Sequence, residues 1–177
     1  MSSNRQLTRA ILALGSNLGE RRGTLSAAVG DLVDRPEVRL VDVSPVVSTK
    51  PVGGPSGQPD FLNMVIAVDT SLDPYELLAH CQGVELAHHR VREVRWAART
   101  LDVDIIVYGD LVSGDPLLTL PHPRAHQRAF VLYPWALMDP QAVLAGQPVA
   151  ELAAAAADMP GIEHAELESL EPDGPQG

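Results

Sequence analysis

Cysteine is nearly absent: the 177 residues contain one, Cys81, which excludes an internal disulfide framework and a cysteine-built zinc site of the usual spacing. Aromatic residues amount to 4%, with two Phe, two Trp and three Tyr, too few for an aromatic-rich sheet that stacks RNA bases. Long apolar runs are also missing. The longest, Ala129 to Met138, falls well short of the roughly 20 residues a membrane helix needs. The stretch Ala10–Leu14 that follows Met1–Arg9 stops at Gly15, which is shorter than a typical secretory apolar region. A cytoplasmic chain with no membrane partner is the expectation.

Positive charge is scarce too, with 13 Lys and Arg against 23 Asp and Glu and a formal net charge of −10. A nucleic-acid partner is therefore not expected. The deficit is uneven, however: residues 151–177 hold seven acids and no Lys or Arg, so the first 150 residues carry only −3. Arg90, Arg92, Arg95 and Arg99 cluster within ten residues beside one acid, Glu93, so a local anion site is possible on an acidic protein. The whole chain is 45% hydrophobic, enough for a single packed domain.

Residues 9–14 read as a short apolar strand ended by a glycine turn, and Leu25, Ala28, Val29, Leu32 and Val33 recur at helical spacing until Pro36. Val38–Val47 reads as one β-branched strand, Thr49–Asp60 as a long Pro- and Gly-rich loop, and Phe61–Val68 as a third strand. Asp73-Pro74-Tyr75-Glu76 has the form of a capped helix start, followed by the stripe Leu77, Leu78, Cys81 and Val84. His88–Thr100 reads as an arginine-rich loop and Leu101–Tyr108 as a fourth strand. The order βαββαβ predicts a ferredoxin-like α+β domain, a mostly antiparallel sheet with helices on one face. Further helices are expected at Phe130–Met138 and Val149–Ala157, after a hairpin or irregular stretch ending at Pro123. The expected boundaries are one domain over 1–160 and an acidic, flexible tail over 161–177.

Within the fourth strand, period-two alternation sets Asp102 and Asp104 on one face and Leu101, Val103, Ile105 and Val107 on the other. Residues two apart on a strand lie roughly 6.5–7 Å apart, close enough to share a pair of divalent ions; the alternative is a solvent-facing strand with two acids. The arginine segment ends three residues earlier, and metal-binding acids beside guanidinium groups suit a polyphosphate. A solvated basic loop, or arginines pairing with the acids, is the plainer reading of that segment. His122, between Pro121 and Pro123, could donate to a phosphate, although by itself the motif is weak and a surface histidine is the better-supported reading. His88 and His89 are adjacent and make a poor metal pair. Phe61, Trp96 and Phe130 are candidate stacking groups or core residues. Asn63 shares a strand face with Phe61, so the two could hold a flat heterocycle.

Taken together, several separated motifs carry a resemblance: Leu14-Gly15-Ser16-Asn17-Leu18-Gly19, the loop Thr49–Pro59, Asp60-Phe61-Leu62-Asn63, Arg95-Trp96 with Arg99-Thr100-Leu101-Asp102-Val103-Asp104, and Pro121-His122 with Arg128-Ala129-Phe130. Over residues 10–145 the chain resembles the 6-hydroxymethyl-7,8-dihydropterin pyrophosphokinases of folate biosynthesis. The resemblance implies a ferredoxin-like fold and two substrates, ATP and the pterin, with pyrophosphoryl transfer to the pterin hydroxymethyl oxygen and release of AMP. It implies that Asp102 and Asp104 hold two Mg²⁺ ions. Phe61, Phe130 and Trp96 would stack on the pterin while Asn63, Thr49, Pro51 and Val52 read its edge. Gln82, Glu85, Arg92, Trp96, Ile105, Thr119, His122 and Arg128 would contact ATP, and Arg90 and Arg99 would close over the phosphates as catalytic arginines. It further implies binding of ATP first; no residue stands out as a general base. Ala97-Ala98 stand where the family often has Gly-Pro, and Phe61 where tyrosine is frequent. A monomer is expected. A two-metal nucleotidyltransferase and a non-catalytic ferredoxin-like binding module are the competing readings.

Overall fold

The computed structural model describes residues 6–17, 21–49, 61–91 and 101–164. The elements in chain order are β1 (Thr8–Ser16), α1 (Arg21–Leu32), β2 (Val38–Val43), β3 (Val47–Thr49), β4 (Phe61–Thr70), α2 (Pro74–Val91), β5 (Leu101–Tyr108), β6 (Ser113–Asp115), β7 (Leu118–Leu120), α3 (Ala129–Met138), β8 (Val143–Leu144), β9 (Gln147–Pro148), α4 (Val149–Ala155) and β10 (Ile162–His164). The main sheet is antiparallel in every pairing, in the order β10-β3-β4-β1-β5, with β2 also on β4. Two small hairpins, β6-β7 and β8-β9, stand apart. Among the described residues no helix is long and apolar enough to cross a membrane.

Both faces of the sheet are covered, which explains why β1 and β4 read as nearly unbroken apolar runs. Ala10, Leu12, Leu14, Met64, Ile66 and Val103 pack under Leu25, Leu32, Leu77 and Cys81 of α1 and α2. Ile11, Ala13, Val65, Ala67 and Ile106 pack on the opposite face under Val131, Leu132 and Trp135 of α3 and Val149 and Ala153 of α4. The C-terminal helices thus form a second layer.

Five expectations are corrected. The stretch Val38–Val47 is two strands, because Pro45 lacks the N–H a ladder needs. Ser44 bridges the gap, its N–H donating to the Val65 carbonyl at 2.9 Å and its Oγ accepting the Val65 N–H at 2.8 Å. The helix predicted to give way at His88 continues to Val91, while residues 92–100 lie outside the described residues. A bulge between the pairs Ile11–Val107 and Leu12–Ile105 inserts Ile106, so Val107 packs on the α3 side, the aspartates' side. Finally, β10 is a strand of the main sheet paired with β3, so the ordered chain passes the expected boundary at 160; residues 165–177 lie outside the described residues. The last helix ends at Ala155, two residues early.

The α2 start is the capping box its sequence implies: the Glu76 N–H donates to Asp73 Oδ1 at 2.8 Å and the Asp73 N–H to Glu76 Oε1 at 2.9 Å. Asp73→Ala should cost about 1 kcal/mol of unfolding free energy, a fall of roughly 2–4 °C in melting temperature for a chain of this size. Unchanged melting would show that the box contributes nothing net.

Candidate active site

At one end of the sheet the strands bring four residues into a single row. Gly15 of β1 is paired on one side with Asn63 of β4 and on the other with Asp102 of β5, and Asn63 is in turn paired with Val47 of β3. One step along, Ala13 lies between Val65 and Asp104. With strands about 4.8 Å apart, the Asn63 amide and the Asp102 carboxylate start roughly 10 Å from one another, separated by a residue with no side chain. That gap is the floor of a cavity of about 550 Å³.

The cavity gathers seven residues singled out from sequence: Thr49, Phe61, Asn63, Asp102, Asp104, Arg128 and Phe130. At its Thr49 end, Asn63 is almost fully buried and donates from Nδ2 to Thr49 Oγ1 at 2.9 Å. That commitment leaves Oδ1 as the amide's other pole, an acceptor for a donor-bearing ring edge. A Cβ on Gly15 would stand 2.7 Å from Asn63 Oδ1, so any side chain at 15 would push the Asn63 amide from its place against Thr49. Arg128 lies over the Phe130 ring at 5.5 Å from its centroid, a cation–π contact that ties a phosphate-type group to a stacking-type group.

A second set borders the same acids along the outer edge of β5. Glu85 of α2 accepts the Val103 N–H at 2.9 Å, bracing the residue between the two aspartates. Burial lifts its carboxyl above the ordinary range; the Val103 N–H opposes this, and Asp102 and Asp104 add to the rise. The His122 N–H donates to the Ile106 carbonyl at 2.8 Å, and its Nε2 lies 4.0 Å from Asp104 Oδ2. Burial lowers the imidazole's pKa, against the pull of Asp104 and with help from Arg128 and Arg124, which favours the neutral ring at neutral pH. Gln82 is exposed on α2, one turn before Glu85. Thr119 on β7 donates from Oγ1 to the Asp115 carbonyl at 3.0 Å.

Ile105 is different: its side chain is in the core beneath α1 and α2, so any ligand contact must use its backbone. The alternation that turns the Val103 N–H outward to Glu85 turns the Ile105 backbone to the same edge. Arg90 lies in the last turn of α2. Pro51, Val52, Arg92, Trp96 and Arg99 lie outside the described residues.

Sequence reasoning missed Asp158, Gly161 and Ile162, which also line the cavity, and read Gly15 only as part of a turn that ends the strand. A glycine interrupting an apolar strand was the available signal, since it marks close approach of another group. Among the described residues no cluster of three or more His, Cys, Asp and Glu could cage a metal. Two carboxylates facing a cavity instead suit a hard cation that shares its coordination with a substrate's oxygens.

The family model for 7,8-dihydro-6-hydroxymethylpterin-pyrophosphokinase matches residues 11–140. The chain belongs to this family. A 2-amino-4-hydroxy-6-hydroxymethyldihydropteridine pyrophosphokinase of Pseudomonas aeruginosa is 45% identical over 150 residues, covering 84% of this chain and 92% of the relative. A pyrophosphokinase of the same name from Methylorubrum extorquens is 42% identical over 160 residues, covering 90% and 100%. Among solved structures, the Plasmodium falciparum HPPK-DHPS A437G with STZ-DHP is similar in fold, with a TM-score of 0.66 at 13% identity over 86% of this chain. This chain spans 46% of that one. The pyrophosphokinase family therefore accounts for the mixed helix and antiparallel-sheet architecture.

The Gly15–Asn63 approach makes a stability prediction. Gly15→Ala should cost about 1–3 kcal/mol by overpacking, and the double variant with Asn63→Ala should be less destabilised than the sum of the two single variants. Denaturant unfolding of the four proteins measures this; strict additivity would mean the two residues do not crowd one another.

Proposed function

We propose that this protein transfers the terminal pyrophosphoryl unit of ATP to the hydroxymethyl oxygen of 6-hydroxymethyl-7,8-dihydropterin, giving AMP and the pterin diphosphate in folate biosynthesis. The observation that carries this reading is the single row Asn63–Gly15–Asp102: a side-chain amide and a carboxylate share one cavity and are held a fixed distance apart by the sheet. Family membership supports the reaction class.

The chain's own residues divide the work. Phe61 and Phe130 offer ring faces for stacking, and Asn63 Oδ1 accepts from the donor-bearing edge of the pyrimidine ring. Along the β5 edge Gln82, Glu85, Ile105, Thr119 and His122 form the nucleotide side, with Arg128 at the junction. Asp102 and Asp104 would hold two Mg²⁺ ions, which when bound supply charge neutralisation to the phosphate oxygens. The hydroxymethyl oxygen forms a bond to the β phosphorus, the bond from that phosphorus to the α–β bridging oxygen breaks, AMP leaves with the electron pair, and the hydroxyl proton passes to solvent. No described side chain is assigned as general base, so positioning and electrostatics provide the acceleration. By their motif positions Arg90, Arg92 and Arg99 serve the phosphates, Trp96 both substrates, and Pro51 and Val52 the pterin. The strand order, with β2 and β3 taken together as one strand, supports a ferredoxin-like core.

Product analysis after mixing the protein with ATP, Mg²⁺ and the pterin tests the reading. AMP formed only when the pterin is present supports it; ADP would indicate γ transfer, and free pyrophosphate a nucleotidyltransferase. Asp102→Ala and Asp104→Ala should each lower kcat by roughly 10²–10³-fold or more with unchanged circular dichroism. Near-normal turnover in both would remove the metal assignment. Phe130→Ala should raise the KM for the pterin by about tenfold while that for ATP changes less than about twofold; equal losses would make Phe130 a core residue.

A further inference from the structure

The segment after α4 lies outside both the motifs read from sequence and the family model, which ends at residue 140. Yet it reaches back to the cavity and supplies three of its lining residues, Asp158, Gly161 and Ile162. Two separate contacts hold it there. The N-cap position of α3, Arg128, makes no side-chain cap; instead both carboxylate oxygens of Asp158 accept the Ala129 N–H, at 2.9 and 3.1 Å. The first free N–H of α3 is thereby satisfied from 29 residues away, at the residue between Arg128 and Phe130. Two residues beyond Pro160, β10 is already paired with β3, with Ile162 opposite Thr49, and Thr49 is the residue that receives the Asn63 amide.

We propose that the segment Asp158–Ile162 is a working wall of the heterocycle subsite. Asp158 acts as a positioning residue for Phe130 through the Ala129 N–H. Ile162 closes the cavity beside Thr49, and its strand fixes the hydroxyl that orients Asn63. The segment therefore helps determine which flat bicyclic ligands enter, while the nucleotide side along β5 does not depend on it. The proposal rests on the pterin reading above.

The test uses the full-length protein and four variants: Asp158→Ala, Asp158→Asn, Ile162→Ala and Ile162→Trp. Calorimetry measures ATP binding with Mg²⁺ alone, then pterin binding with a non-hydrolysable ATP analogue and Mg²⁺ present. Ile162→Trp fills the cavity and should weaken pterin binding roughly tenfold or more, with ATP affinity within about twofold of the parent protein's. Asp158→Ala should weaken pterin binding by roughly tenfold as well, whereas Asp158→Asn keeps an acceptor for the Ala129 N–H and should restore most of it. In turnover the losses should appear in the KM for the pterin and not in the KM for ATP. Ile162→Ala guards against a folding defect peculiar to tryptophan, and should weaken pterin binding less than Ile162→Trp without lowering ATP affinity. Unchanged pterin affinity in Asp158→Ala and Ile162→Trp, or equal losses for both substrates, would overturn the proposal while leaving the pterin reading in place. Failure of the parent protein to bind the pterin would overturn both.

Discussion

The structure turns on a steric constraint at the end of the central strand. A sheet packed on both faces must be apolar along its middle strands, and β1 meets that demand from Ala10 to Leu14 with buried side chains on alternate sides. At Gly15 the demand changes: the strand still needs its ladder to β4 and β5, but its side chain would occupy the space used by the Asn63 amide. Removing the side chain keeps the backbone register and opens a floor between two polar residues. The cavity is thus a consequence of strand pairing at the margin of the helix cover, with Phe130 and Val131 in the first turn of α3 forming part of its wall. Because Asn63, Gly15 and Asp102 are cross-strand neighbours, their separation is set by the interstrand spacing and not by loop conformation.

Much of this was legible in the chain. Leu101–Tyr108 announces a strand by β-branched residues, and two aspartates in such a strand demand an explanation because an unpartnered carboxylate is costly to bury. The Asp73–Glu76 pair specifies its own helix start through local hydrogen bonds alone. What was not legible depends on distant partners. Nothing in the sequence near Val107 signals that an extra residue at Ile106 shifts its face, because a bulge leaves the β-branched composition intact. Pro45 could have warned of a break; that Ser44 would mend it with its hydroxyl depends on where Val65 comes to lie. Asp158 follows an alanine-rich run and stands in no motif, and its role depends on an N–H supplied by a helix far back in the chain.

The two groups of assigned residues differ in how the fold holds them. Those around Asn63 and Phe61 come from strands β3 and β4, in the body of the sheet. Those around Glu85 and His122 hang on the outer edge of β5, where among the described residues backbone groups have no further strand to pair with. Glu85 and the His122 N–H occupy two of these positions, blunting an edge that would otherwise be open to pairing. The aspartates belong to both groups, since β5 is at once a member of the sheet and its boundary.

The solitary cysteine has a practical consequence. Cys81 is buried on the inner face of α2, and burial pushes its thiol up to about 12, so at neutral pH it is neither accessible nor appreciably ionised. A thiol introduced at an exposed position such as Val112, which is 79% exposed at the surface, would react with a maleimide dye in strong preference to the native one. Site-specific labelling for fluorescence or immobilisation therefore needs no prior removal of the natural residue, and the core that it helps fill stays untouched.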